Sequence, residues 1–168
     1  MRHTPSLHHY VVALGGNQRS VKLGSPAHVV VAALAALDAP PLRVIKQSGL
    51  ISTTPVGPSR RRFVNAAALI ETTLEPEALL ATLQRLEAQF GRQRRGQRWS
   101  ARPLDLDIVL WSGGIWSQPN LSIPHPHFRV RQFVLTPLNQ IAAEWRDPLS
   151  GLRVRHLHAR LDRRAIRP

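Results

Sequence analysis

The chain has 168 residues, 43% of them hydrophobic, which suits one domain with its own core better than two small ones. Its formal charge is +13 at pH 7, and arginine supplies 21 of its 23 basic residues, which points to polyanionic partners (nucleic acid, anionic lipid or phosphorylated small molecules) or to no more than an arginine-rich genome. Cysteine is absent, which excludes disulfides and thiolate metal sites.

The first nine residues carry Arg2 and several histidines but no apolar segment of a signal peptide, and the longest apolar run, Val29–Leu37, is too short to span a bilayer. A soluble, cytoplasmic protein is the resulting expectation, with residues 1–9 and 152–168 peripheral to a single catalytic domain. Tyr10–Leu14 reads as a buried strand, with Gly15, Gly16 and Asn17 as the turn that stops it. Val30, Ala33, Leu34 and Leu37 have helical spacing from Pro26 onward, and Pro40-Pro41 ends that helix. Leu42–Ile51 reads as a second strand, Thr53–Arg62 as a loop, and Phe63–Thr72 as a third strand. Pro76 opens a helix whose apolar face is Leu79, Leu80, Leu83, Leu86 and Phe90, with Gly91 as its stop. Arg92–Arg102 is aperiodic and polar, and Leu106–Trp111 is a fourth strand that Gly113-Gly114 turns into a hairpin. Arg131–Trp145 has a helical pattern interrupted by Pro137, and the basic tail after Gly151 is expected to pack loosely. The order predicts an α+β, ferredoxin-like βαββαβ sandwich, with helices packed on a mostly antiparallel sheet.

The sharpest chemical feature is Arg102-Pro-Leu-Asp105-Leu-Asp107-Ile. Residues two apart on a strand share a face, so Asp105 and Asp107 point together while Leu104, Leu106 and Ile108 point into the core. Two neighbouring carboxylates repel each other and need a positive partner. A hard divalent cation such as Mg²⁺ suits them, because it takes one or two carboxylates plus phosphate oxygens. A solvated acidic edge, or salt bridges to Arg98 and Arg102, are the alternatives. Six arginines fall within the 18 residues from Arg85 to Arg102, and arginine forks bind phosphate oxygens. A nucleic-acid stripe is the rival reading of that run, but Trp99 is the only aromatic residue of its loop part, Arg92–Arg102, and a stacking platform needs more. There is no P-loop motif. His125, between two prolines, is either a phosphate or ribose contact or an ordinary loop histidine.

Together these segments resemble the 6-hydroxymethyl-7,8-dihydropterin pyrophosphokinases. The similarity runs from Tyr10 to Leu149. It is carried by Val12-Ala-Leu-Gly-Gly-Asn17, Thr53-Thr-Pro-Val-Gly57, Phe63-Val-Asn65-Ala, Gln84-Arg-Leu-Glu87, Gly91-Arg92, Arg98-Trp99, the aspartate segment, Ile123-Pro-His125 and Arg131-Gln-Phe133-Val-Leu. The resemblance implies transfer of the β,γ-pyrophosphoryl group of ATP to the pterin hydroxymethyl oxygen, with AMP released and two Mg²⁺ ions bridging the phosphates, in folate biosynthesis. It implies Asp105 and Asp107 as metal ligands, with Asp107 also a candidate to take the hydroxyl proton, and Arg92 and Arg102 as phosphate contacts. It implies Gln84, Glu87, Arg98, Trp99, Ile108, Ser122, His125 and Arg131 on the ATP side, with Trp99 closing over the site.

On the pterin side it implies Thr53, Thr54, Val56, Gly57, Phe63, Asn65 and Phe133, the two phenyl rings sandwiching the pterin and Asn65 reading its edge. From the residues alone, Phe63 and Phe133 also read as core positions. Three departures from the family pattern stand out: the short basic Arg60-Arg61-Arg62 loop, Ser100 in place of glycine, and Pro126 in place of a tyrosine that contacts nucleotide. The partners so implied are ATP and the pterin; the chain is separately expected to be a monomer, with no membrane and no nucleic acid as partners. A basic nucleic-acid module and a paralogue that is non-catalytic or acts on a modified pterin are the alternative functions.

Overall fold

The structure is a computed structural model, and it describes residues 6–54, 62–91 and 103–165. Elements run β1 (His8–Gly16), α1 (Pro26–Leu37), β2 (Arg43–Gln47), β3 (Ile51–Thr53), β4 (Phe63–Thr72), α2 (Pro76–Gln89), β5 (Asp105–Trp111), β6 (Trp116–Gln118), β7 (Leu121–Ile123), a 3₁₀ turn (Phe128–Val130), α3 (Gln132–Ala142) and α4 (Val154–Ala165). The main sheet has the order β2-β4-β1-β5, with β3 also on β4, and every pairing is antiparallel. If β2 and β3 are taken as one interrupted strand, this is the ferredoxin-like βαββαβ arrangement predicted from the sequence.

Alternation along the strands builds two cores, one on each face. Tyr10, Val12 and Leu14 of β1, with Ala66, Ala68 and Ile70 of β4, pack against Val30 and Leu34 of α1 and Leu79 and Leu83 of α2. Val11, Ala67 and Leu69 face the other way, against Leu135, Leu138 and Ile141 of α3. Ser25 caps α1, its Oγ accepting the His28 N–H at 3.4 Å, and Pro26 sits in the first turn, where a missing N–H costs nothing. Pro76 serves α2 in the same way.

Six local expectations are corrected. The segment Leu42–Ile51 is not one strand: Ser48 is buried, its Oγ accepts the Ala67 N–H at 2.8 Å, and the next residue, Gly49, donates its N–H to Gln140 Oε1 of α3 at 2.9 Å. These bonds divert the chain between β2 and β3. Gly15 and Gly16 are not a turn but the last two residues of β1. The turn at Gly113-Gly114 leads into β6, which pairs with β7 rather than folding back on β5. Helix α3 runs through Pro137, which is buried within it. The tail forms α4, with Val154 and Leu157 buried in the second core. Burial of two aliphatic side chains stabilises by roughly 3–6 kcal/mol, enough to hold a helix of this length that would be marginal alone. At the other end, His8 and His9 belong to β1 rather than to a peripheral segment.

Candidate active site

The registers of β1 with β4 and with β5 place Asn65, Gly15 and Asp105 in one cross-strand row. The next row on the same face is Ala67, Ala13 and Asp107. Adjacent strands lie about 4.8 Å apart, so Asn65 and Asp105 are separated by roughly 10 Å, with Gly15 between them. Between the amide on one side and the two carboxylates on the other, Gly15 and Ala13 are part-exposed, while Ala67 is covered by α3. A Cβ on Gly15 would lie 2.9 Å from Asn65 Oδ1, and one on Gly16 would lie 2.5 Å from the Pro103 carbonyl oxygen. Both glycines therefore permit close approach.

On the acidic side, Asp105 is half-buried and Asp107 exposed, while Leu104, Leu106 and Ile108 are buried in the first core. Between the carboxylates, the Leu106 N–H donates to Glu87 Oε1 of α2 at 2.8 Å. Glu87 is itself buried, so it ties the aspartate strand to α2. The register of β1 with β5 shifts between Val11 and Val12, leaving Val109 as an extra residue. The Val109 carbonyl accepts the His125 N–H at 3.0 Å. His125 Nδ1 accepts the His127 N–H at 3.2 Å, which leaves Nε2 as the protonated nitrogen of a neutral ring. Burial pushes the His125 pKa down, and the Arg131 and His127 charges push it the same way against the opposing pull of Asp107. His125 is thus a neutral N–H donor beside a carboxylate. The donor set suits Mg²⁺: two hard carboxylates, with no third His, Cys, Asp or Glu completing a metal cluster among the described residues, leave coordination positions for phosphate oxygens and water.

On the other side, Asn65 is buried and its Nδ2 donates to Thr53 Oγ1 at 3.1 Å. Thr53 pairs with Phe63 across β3 and β4, Phe63 is half-buried, and Thr54 is exposed. Phe133 is half-buried in the first turn of α3, with the Arg131 guanidinium 5.8 Å from its ring centroid. Ser122 is exposed on β7 and Gln84 half-buried on α2. The Ile108 side chain points away into the first core, so only its backbone could meet a ligand on this face. Arg92, Arg98, Trp99, Arg102, Val56 and Gly57 lie outside the described residues. Sequence reasoning missed the tie from Glu87 to β5 and the close approach of Asn65 over Gly15. The Gly15-Gly16 pair was the available signal for that approach, but a glycine pair signals a turn as readily.

A sequence model of the family described as 7,8-dihydro-6-hydroxymethylpterin-pyrophosphokinase matches residues 11–143. The chain is 35% identical over 96% of its length to a 2-amino-4-hydroxy-6-hydroxymethyldihydropteridine pyrophosphokinase of Synechocystis, covering 80% of that protein. It is 41% identical over 82% of its length to the Pseudomonas aeruginosa protein of the same name, covering 82% of it. Among solved structures, a Plasmodium falciparum HPPK-DHPS crystal structure with pteroate superposes with a TM-score of 0.75 at 14% identity. That match covers 98% of this chain, which spans 44% of the Plasmodium chain, and at this identity it speaks for the fold alone. No helix among the described residues is long and apolar enough to cross a membrane.

Proposed function

This chain belongs to the 7,8-dihydro-6-hydroxymethylpterin-pyrophosphokinase family, and is a pyrophosphokinase of folate biosynthesis; from that premise we propose that it transfers the β,γ-pyrophosphoryl group of ATP to the hydroxymethyl oxygen of 6-hydroxymethyl-7,8-dihydropterin. The oxygen forms a bond to the β-phosphorus, the bond from that phosphorus to the α,β-bridging oxygen breaks, AMP leaves with the electron pair, and the hydroxyl proton is released. The observation that supports this reading is the row Asn65, Gly15, Asp105, which puts a buried amide and a half-buried carboxylate on one sheet face, on either side of a glycine.

Asn65 supplies a donor and an acceptor to a pterin edge, and its bond to Thr53 fixes its orientation. Phe63 and Phe133 supply faces for ring stacking, with Thr54, Val56 and Gly57 completing the pterin pocket. Asp105 and Asp107 would hold Mg²⁺, which when bound neutralises phosphate charge and holds the triphosphate in line. The neutral His125 donates Nε2–H to a phosphate or ribose oxygen, and Arg131 adds a fixed positive charge beside it. Gln84, Glu87, Arg98, Trp99, the Ile108 backbone and Ser122 border the nucleotide, while Arg92 and Arg102 clamp phosphate oxygens. A water-excluding closure by Trp99 would favour transfer over hydrolysis.

The test is to mix protein, ATP, Mg²⁺ and the pterin and to separate nucleotides by chromatography. AMP should appear only with the pterin present. ADP as product, or AMP release indifferent to pterin, would overturn the assignment. Asp107→Ala should lower turnover by at least about 10³-fold, the equivalent of roughly 4 kcal/mol of transition-state stabilisation.

A further inference from the structure

Asp147 is fully buried and lies outside the site described above. Its carboxylate takes the Arg129 Nε and Nη2 donors at 2.6 Å each, the Ser150 hydroxyl at 2.5 Å and the Leu149 N–H at 3.1 Å. Four donors fill the acceptor capacity of one carboxylate. Its backbone is also engaged, the N–H donating to the Leu152 carbonyl at 2.9 Å and the carbonyl accepting the Gly151 N–H at 2.8 Å. Asp147 is therefore a fixed point in the connection from α3 to α4.

Arg129, the other half of the pair, is the middle residue of the 3₁₀ turn Phe128–Val130. Its guanidinium lies 4.7 Å from the Phe128 ring centroid, and Phe128 is fully buried in the second core. The turn's own backbone bonds are long: Val130 N–H to the His127 carbonyl at 3.3 Å and Arg131 N–H to the Phe128 carbonyl at 3.4 Å. Bonds of that length hold geometry weakly, whereas a two-pronged charged pair at 2.6 Å holds it tightly. Two residues after Arg129 comes Arg131, and four after it comes Phe133. An ion pair with a buried carboxylate commonly stabilises no better than an apolar pair of the same volume, which leaves geometry as the other thing it can supply.

We propose that Asp147, acting through Arg129, is a positioning residue that sets where Arg131 and Phe133 stand. On the function proposed above, one clamp then aligns a nucleotide contact with a pterin contact.

The test uses the full chain carrying Asp147→Asn and, separately, the apolar double replacement Arg129→Met with Asp147→Leu. Amide hydrogen exchange without ligand should speed up about tenfold or more at residues 130–135 in both variants, with residues 65–70 unchanged. Dissociation constants for ATP and for the pterin should both rise about tenfold, while turnover at saturation stays within about threefold. The double variant should melt near the wild-type temperature yet show the same losses, which a purely structural role would not produce; it also decides the matter if Asp147→Asn does not fold. Wild-type exchange and wild-type affinities in either folded variant would overturn the proposal, as would full recovery of binding in the double variant. A wild-type protein that binds neither ligand would defeat the functional reading instead, and the exchange data would still decide the clamp.

Discussion

Gly15 and Gly16 are adjacent on β1, yet alanine at each should damage a different half of the site. At Gly15 the new methyl would lie 2.9 Å from Asn65 Oδ1, whereas ordinary contact begins at 3.4 Å. The amide must retreat by about 0.5 Å, because buried side chains have little slack. If that retreat is away from Thr53, the 3.1 Å bond from Asn65 Nδ2 stretches to a length at which little of it survives. We predict that Gly15→Ala raises the pterin dissociation constant about tenfold, roughly 1.4 kcal/mol, and leaves the ATP constant within about twofold.

At Gly16 the obstacle is the Pro103 carbonyl at 2.5 Å, which is backbone and cannot rotate aside. The relief of about 0.9 Å must come from the start of β5, two residues before Asp105. Gly16→Ala should therefore lower stability by about 1–3 kcal/mol and weaken Mg²⁺-dependent ATP binding more than pterin binding. Isothermal titration of each ligand, with denaturant melts alongside, measures both effects. Equal loss of both ligands in Gly15→Ala, or an unchanged pterin constant, would refute the inference that Asn65 depends on the space above Gly15.

Glu87→Ala should cost about 1–3 kcal/mol in urea unfolding, because the buried Leu106 N–H loses its acceptor; Glu87→Gln, which keeps a carbonyl oxygen, should cost less. Burial alone would raise the Asp147 pKa, but the Arg129, Ser150 and Leu149 hydrogen bonds outweigh it and hold the carboxyl at about 2, against 3.8 ordinarily. Its contribution is fully present above pH 3.8 and is lost as pH falls through 2, so acid unfolding should lose about 2 kcal/mol across that window, and Asp147→Asn should flatten the slope there. Chelation by EDTA should abolish AMP release, with restoration by Mg²⁺ and no change in far-ultraviolet circular dichroism, since β5 is held by pairing with β1 rather than by metal. Leu157→Ala should lower stability by roughly 2–4 kcal/mol, read by thermal melting, because the residue anchors α4 in the second core.

Where one face is buried, periodicity was enough to read the fold. The helix from Pro26 to Leu37 and the strand from Phe63 to Thr72 have the boundaries that their apolar spacing predicts. The Asp105/Asp107 alternation was legible for the same reason, since Leu104, Leu106 and Ile108 had to be buried. The remainder depends on contacts distant in sequence. The break at Ser48 is made by Ala67 and Gln140, and nothing near Ser48 announces either partner. Charges dominate the composition of the tail and suggest loose packing, yet Val154 and Leu157 three apart on one face suffice to seat it. Arg129 and Asp147 share no motif, and only the fold joins them.

One irregularity links these two kinds of information. Up to Ile108 the side chains of β5 alternate strictly, which delivers both carboxylates to the face that carries Gly15 and Asn65. With Val109 as an extra residue, Val109 and Leu110 both enter the second core and Trp111 packs against the first. The same strand thus serves the site at its beginning and fills the cores on both faces at its end. The carbonyl of the extra residue also receives the His125 N–H, which draws the chain leaving β7 back beside Asp107. From there Pro126 and His127 lead into the turn that Arg129 anchors. The acidic pair, the neutral histidine, Arg131 and Phe133 are therefore held by one continuous path from the register shift to the buried ion pair. Perturbing either end of that path should move His125 or Arg131 relative to the carboxylates without touching the carboxylates themselves.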